Sequence, residues 1–566
     1  MVVLLSALGL SAALPPAAMA LGAVLAIGGA AFVWAVRAPG SALLLVGRTL
    51  YWHAAAIAVG LVLVLQARQG WAYYAYAGVV LTFWIEAASL QARDAPAASR
   101  SLAFARRNAV LLATLAAVLL IWGLYLAAYY PGIMSTDSIN EWTQALSFKL
   151  SDYSPAIYTL FLWAAGTLWR APAVAATVQL VVSALSVAWL AAYLDRRGVA
   201  RWVLALGLAI YLVLPIFGTF TVTLWHDIPY SLIVLWVTHA MYELYVTKGD
   251  WLRVRWRGWA LGASLVLLPL FAHNGLSVVC GVLVGSWIVL RRYRRAVGWI
   301  AAGVVVGFLS VEYLVYPVIG VQPLTKEFAS EALLHQVSAA ITQHGVQGLP
   351  SKDVAYLVRI MPLKDWTQKY NPYTPQFLVS QRFNPSFNET PIDQHFGEFL
   401  SVWATLGMKY PGSYVMERVT ENALVLDATG SHRIALSPLG VEKNSIGLRT
   451  TSLAPALRSE LISIAKYTTD KMLWLWRAFW VMWLLVALTI AGYFLRGRSI
   501  LFAAIPWVFQ VLGLAISIQG QSVRYYYSLF LILPYFIGIV TLPRRGMEAS
   551  LVRPLAQRSA EAAPPQ

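Results

Sequence analysis

The run Tyr129-Tyr130-Pro131-Gly132-Ile133-Met134-Ser135-Thr136-Asp137-Ser138 sets a carboxylate directly behind an apolar stretch that Pro-Gly brings to an end. Ser138-Ile139-Asn140-Glu141 reads as a capping box, so a new helix is expected to begin at Ser138. Ile139, Trp142 and Leu146 then share one face, as in a helix lying along a membrane surface. Asp137 falls just before that cap and is not needed for it. Its carboxylate is expected to be free, close to the bilayer surface and facing whatever occupies the outer side. The plainer alternative is a solvated loop acid or a substitute helix cap.

A second group is Trp225-His226-Asp227-Ile228-Pro229-Tyr230. His226 and Asp227 could act as a ligand pair or as a second acid, although an Asp ahead of a Pro-initiated helix is also a good N-cap. A third is Gln521-Ser522-Val523-Arg524-Tyr525-Tyr526-Tyr527. Arg524 is permanently charged and can grip a phosphate with two parallel N–H groups, with Tyr525 beside it. Tyr and Arg together also make an ordinary interfacial anchor. Glu86, Arg48 and His53 lie inside apolar runs, where ionisable groups are functional candidates by default, and Arg48 and Glu86 could equally pair.

The elements that must position these groups are membrane helices. Of 566 residues, 59% are hydrophobic and only 12% charged, against about 45–50% and 25% in soluble domains, which excludes a water-soluble globular chain. Runs long enough to span are expected near 17–36, 41–66, 71–91, 108–130, 171–194, 201–222, 229–246, 259–274, 276–291, 297–319, 472–495, 499–518 and 523–541. The first is read as an anchor rather than a cleaved signal, since no basic region precedes it. Residues 155–170 are apolar but short, and are read as a re-entrant or interfacial helix.

The net charge of +17 is explained by topology. Arg93 to Arg107, Arg196 to Arg201, Lys248 to Arg257, Arg291 to Arg295, Arg496 with Arg498, and Arg544 with Arg545 all fall on one side when the spans alternate. By the positive-inside rule that side is cytoplasmic, and no nucleic acid is needed as a partner. Cys280 is the single cysteine, so there is no disulfide framework. The expected organisation is 1–107 as extra N-terminal spans, 108–320 as a core with outer loops, 321–471 as a mainly helical extracytoplasmic domain, 472–547 as C-terminal spans, and 548–566 as a disordered tail.

At Asp137, Asp227 and Arg524-Tyr525 the chain resembles the GT-C superfamily of membrane glycosyltransferases. The resemblance lies in an acid in the first large outer loop, a second acid in the next, a large outer insertion, and an Arg-Tyr pattern late in the chain. It covers roughly 108–541. The three spans before 108 are extra to the usual core. Ser154-Pro155 stands where some relatives carry His-Pro-Pro.

The apolar runs make this an all-α polytopic membrane protein of about 13 spans; the resemblance implies a GT-C-like bundle in a bacterial inner or plasma membrane, acting on a polyprenyl-phosphate sugar. The acceptor would be a glycan, lipid or protein hydroxyl. Asp137 would be the general base; Arg524 with Tyr525, or a divalent cation (Mg or Mn) held by Asp227 and His226, would meet the phosphate. Trp366, Tyr370, Tyr373 and His395 are acceptor contacts on this reading, and core packing is the simpler role for each. Two rivals stand beside it. A ligase- or polymerase-like glycan transferase would use His335, His344 and His395 instead of Asp137. A transporter or flippase would gather polar residues at the bilayer midplane.

Overall fold

A computed structural model describes residues 108–326, 330–428, 439–518 and 520–543. The expected spans at 17–36, 41–66 and 71–91, with Arg48, His53 and Glu86, the basic residues 93–107 and 544–545, and the tail from 548, lie outside the described residues. The described residues are helical, with three isolated β-bridges and no strand among them. Among the described residues, six helices are long and apolar enough to cross a membrane, or seven if one bent pair is counted as a single span. The chain is an integral membrane protein.

Helix α1 (Ala109–Ala128) shows why these segments fold as they do. Twenty residues at about 1.5 Å each match a hydrocarbon core of about 30 Å. Its buried residues, from Thr114 through Ala117, Val118, Ile121, Trp122 and Tyr125 to Ala128, repeat at helical spacing and face α4 (Pro172–Arg196). Between them lie two short helices, α2 (Thr136–Ser147) and α3 (Ala156–Leu168), which pack on each other. At 13 residues, α3 reaches only about 20 Å and is too short to span.

The next pair, α5 (Arg201–Val213) and α6 (Pro215–Thr221), meets at 61°. Pro215 supplies the cause, because proline holds the preceding residue extended, and Leu214 sits at φ −69°, ψ 120°. Gly218 lets α6 lie directly on the Tyr125 ring, which a Cβ there would meet at 2.4 Å. There follow α7 (Asp227–Val246), α8 (Arg255–Phe271), α9 (Gly275–Val289) and α10 (Arg294–Ser310), the last continuing through a π-helical turn at Val311–Val315.

The segment 321–471 is mainly helical where it is described, with no helix in 439–454. It contains α11 (Glu331–His344), α12 (Ser351–Ile360), α13 (Phe396–Lys409), α14 (Pro411–Glu421) and α15 (Pro455–Lys471). Its apolar residues divide between two cores. Leu334, Leu357, Trp366, Phe399 and Leu406 belong to a separate cluster, whereas Leu424, Val425, Leu457, Leu461 and Ile464 join the bundle core. The chain closes with α16 (Ala478–Arg496), α17 (Arg498–Ser517) and α18 (Tyr527–Val540).

The ends of the bundle differ in charge. Arg197 pairs with Glu243 at 2.6 Å, Arg253 donates to the Tyr293 hydroxyl at 3.2 Å, and Arg496 donates to the Val540 carbonyl at 3.0 Å. The basic turns therefore gather at one end. Helices α4, α7, α17 and α18 run from there to the opposite end, where the turns carrying Asp137, His226 and Arg524 meet.

Candidate functional site

Backbone pairing brings the first two motifs together. The Ile133 amide donates to the Val222 carbonyl at 2.9 Å, and the Leu224 amide donates back to Ile133 at 3.0 Å. Gly132, at φ +130°, makes the turn that aligns them, with Val222 O only 3.3 Å from where its Cβ would be. Gln179 holds the other side, its amide donating to the carbonyls of Thr221 and Thr223 at 2.9 and 2.8 Å. Met134 also pairs with Gly440 and Glu442, and the Glu442 carboxylate accepts from Thr136 at 2.8 Å.

The helix after this turn begins earlier than its sequence suggests. Ser135 is the N-cap of α2, and the capping box is formed by Ser135 and Ser138. Asp137 thus lies in the first helical turn, where the helix dipole favours a negative charge. Glu141 is released from capping and turns inward. Asp137 and Glu141 are four residues apart, on one face of α2.

Asp137 is not free, contrary to the sequence expectation. Arg524 Nη1 donates to its Oδ2 at 2.7 Å, and Arg524 Nε lies 3.5 Å from Asp227 Oδ2. The guanidinium rests over the Trp225 ring at 5.1 Å and beside Tyr525 at 5.2 Å. Trp225 is itself fixed by its indole N–H, which donates to Ser135 Oγ at 2.8 Å. Asp227 is the first residue of α7 and makes no side-chain cap, which removes its simple N-cap role. Three residues that are remote in sequence converge on one point.

Behind them stands a second pair. Glu141 is wholly buried, and its Oε1 lies 3.0 Å from His226 Nδ1; His226 Nε2 is 3.8 Å from Asp227 Oδ2. Burial pushes the Glu141 carboxyl up despite the neighbouring histidine. Burial would lower His226, but Asp227 and Glu141 outweigh it and hold the imidazole above its ordinary value. Burial would also raise Asp137, but the charge and hydrogen bond of Arg524 prevail and hold that carboxyl below its usual range. Arg524 Nε, Asp227 Oδ2 and Glu141 Oε2 are buried without a hydrogen-bond partner. Buried polar atoms left unpaired are where a ligand that displaced a neighbour would restore the missing bonds.

The remaining sequence candidates are dispersed. Trp366 is wholly buried, and its indole donates to the Leu357 carbonyl at 3.3 Å, so it offers no surface to an acceptor. Tyr370 lies against the His335 ring at 5.0 Å. Tyr373 touches the Arg524 segment through its backbone, its carbonyl accepting from the Gln521 amide at 3.1 Å. His395 is half exposed, 3.5 Å from Glu398. His344 stacks on Tyr410 and bonds Ser413 Oγ at 3.0 Å, while His335 is wholly buried between Glu417 and Glu421. The three histidines of the ligase-like reading thus have three separate sets of neighbours.

Metal binding at the cleft fits poorly. The Arg524 guanidinium stands between the two aspartates, in the space a divalent ion would need. Among the described residues, the set with ligand atoms within 4.8 Å of one another is His335, Glu417 and Glu421, and Arg418 already bonds both of those carboxylates. Compared with protein-family profiles, with curated proteins and with solved structures, the chain matches none.

Proposed function

We propose that this chain is a membrane glycosyltransferase of the GT-C kind, moving a sugar from a polyprenyl-phosphate donor to an acceptor hydroxyl with inversion at the anomeric carbon. The observation that supports this best is the meeting of Asp137, Asp227 and Arg524, with a buried Arg524 N–H lacking an acceptor. On this reading the shared end of α1, α4, α7 and α17 is extracytoplasmic, as is the helical unit 330–421. The full chain carries about 13 spans, the first three preceding residue 108.

The reaction runs as one displacement. The acceptor oxygen forms a bond to the anomeric carbon as the bond to the phosphate oxygen breaks. The electron pair leaves with the polyprenyl phosphate, which passes from a diester monoanion to a monoester dianion. Arg524 meets that developing charge with N–H groups already oriented by Trp225 and Tyr525. The acceptor proton goes to Asp137. In the donor-free state Asp137 is a weak base, because Arg524 stabilises its anion. A phosphate that takes Arg524 releases the carboxylate and raises its basicity, so the donor itself readies the base. Asp227 stays buried and balances the guanidinium.

The test is release of polyprenyl phosphate from a panel of polyprenyl-phosphate monosaccharides by purified protein supplied with a membrane extract as acceptor source. Wild type should turn over at least one donor, and Arg524→Gln none. Absence of turnover and of binding across the panel would refute the reading.

A further inference from the structure

A second charged group lies in α14, outside the cleft but joined to it. Glu417 and Glu421 are one helical turn apart and wholly buried. His335 Nδ1 faces both, at 2.5 Å from Glu417 Oε1 and 2.7 Å from Glu421 Oε1. His335 Nε2 donates to the Asn371 carbonyl at 2.7 Å, so the ring carries a proton there already. Facing Glu417 and Glu421, Nδ1 is set to donate to Glu417, and the two acids favour a second proton on the ring. Arg418 Nη2 reaches Glu417 Oε1 and Glu421 Oε2, each at 2.5 Å, and its Nε donates to Glu417 Oε2 at 2.6 Å. Two carboxylates, one guanidinium and one imidazolium sum to zero, which is the condition for burying them together.

The group does more than neutralise itself. Arg418 Nη1 donates to the carbonyls of Ile516 and Ile518, at 3.2 and 3.1 Å. These close the C-terminal end of α17, where carbonyls lack intrahelical partners. Asn422 Nδ2 donates to the Ala515 carbonyl at 3.3 Å, and its Oδ1 accepts from the Tyr526 hydroxyl at 2.9 Å. Gln521 Nε2 donates to the Thr420 carbonyl at 2.7 Å. Every one of these contacts lands within ten residues of Arg524.

We propose that Arg418, clamped by Glu417, Glu421 and His335, is a positioning residue that fixes the turn from α17 to α18 and thereby the place of the Arg524 guanidinium. The helical unit holding α11 and α14 then sets how well the cleft receives an anion. Its link to donor binding rests on the phosphate-binding role proposed for Arg524; its structural part does not.

The experiment is hydrogen exchange on the full chain in detergent, paired with calorimetric titration of farnesyl phosphate. Arg418→Gln should speed amide exchange in peptides covering 515–526 by about tenfold, leave α1 and α4 protected, and weaken farnesyl phosphate by a similar factor. Arg418→Lys keeps the charge but cannot bridge two carboxylates and two carbonyls, so it should restore thermal stability without restoring local protection. Tyr526→Phe leaves the charged group whole and should show the same local effect more weakly, which covers failure of Arg418→Gln to fold. Unchanged exchange at 515–526 in both Arg418→Gln and Tyr526→Phe would overturn the proposal, as would uniform loosening of the bundle. A stoichiometric divalent metal in the purified protein would also overturn it, since the cluster would then be a metal site. If wild type does not bind farnesyl phosphate, the phosphate role of Arg524 fails, and the exchange data alone decide the role of Arg418.

Discussion

Arg524 Nη1 and Asp137 Oδ2 are 2.7 Å apart across 387 residues of sequence. The pair joins the turn after α1 to the turn before α18, so the first and last described spans share one site. An exposed ion pair of this sort contributes little to stability. Here one partner is largely buried and lies beside a second carboxylate, Asp227. On the proposed reading, the pair would keep Asp137 masked as a base until a donor phosphate displaces the guanidinium.

Asp137→Asn preserves side-chain size and most hydrogen bonding but removes the basic oxygen. Transfer should fall by roughly 10²–10⁴, the usual contribution of a positioned general base. Thermal stability should fall only modestly, because Ser135 caps the helix and Asp227 still faces the Arg524 guanidinium. Ser135→Ala makes the contrast, lowering stability by about 0.5–2 kcal/mol. Transfer near the wild-type rate by a folded Asp137→Asn protein would remove this residue from the chemistry.

Glu141→Gln tests the buried pair behind the cleft. The imidazole of His226 loses the carboxylate on Nδ1 while its burial persists, so its titration should move to lower pH. Histidine-selective NMR on the detergent-solubilised protein reads this directly, with His226→Gln assigning the signal. A titration that stays in place would mean that Asp227 alone sets the state of His226.

The separate motifs were legible in the sequence, and their convergence was not. Pro131-Gly132, the Asp227 helix start and the Arg524 turn each announce a helix end, and helix ends on one side of a bundle must share a surface. What joins them is the pairing of Ile133 with Val222 and Leu224, a contact between loops that carries no periodic signal. Glu141 was lost because a capping-box reading assigned its side chain to the backbone. Its spacing of four from Asp137 was the available clue. Glu417, Arg418 and Glu421 resemble a solvated helix face, and their partner His335 lies 82 residues earlier. Core packing was the simpler reading of Trp366, and its side chain is wholly buried. The unit from 330 to 421 reads as helical from its apolar spacing, but nothing in that pattern tells that 424–464 leaves it for the bundle core.

The membrane orientation predicts opposite labelling of two exposed positions. In a Cys280→Ser background, Lys352→Cys on α12 should react with a membrane-impermeant maleimide in intact cells. Arg255→Cys at the start of α8 should react only after lysis. The reverse pattern would overturn the positive-inside scheme and move the cleft to the other face, and labelling of both from one side would break the two-ended topology itself.

The charged group in α14 makes stability depend on alkaline pH. Burial alone would lower the His335 pKa, but the bonds to Glu417 and Glu421 prevail and raise it to about 9. In the unfolded chain the same group titrates near ~6.5. A pKa raised on folding means that the folded state binds the proton more tightly. The contribution is therefore complete below about pH 6.5 and is lost as pH rises through about 9. Melting temperature in detergent should hold up to neutral pH and fall between pH 7 and 10. His335→Gln, which cannot gain or lose a proton in this range, should start lower and show a flatter profile over the same interval. Parallel profiles for the two proteins would show that His335 is neutral in the folded state, and the zero charge count at Arg418 would no longer hold.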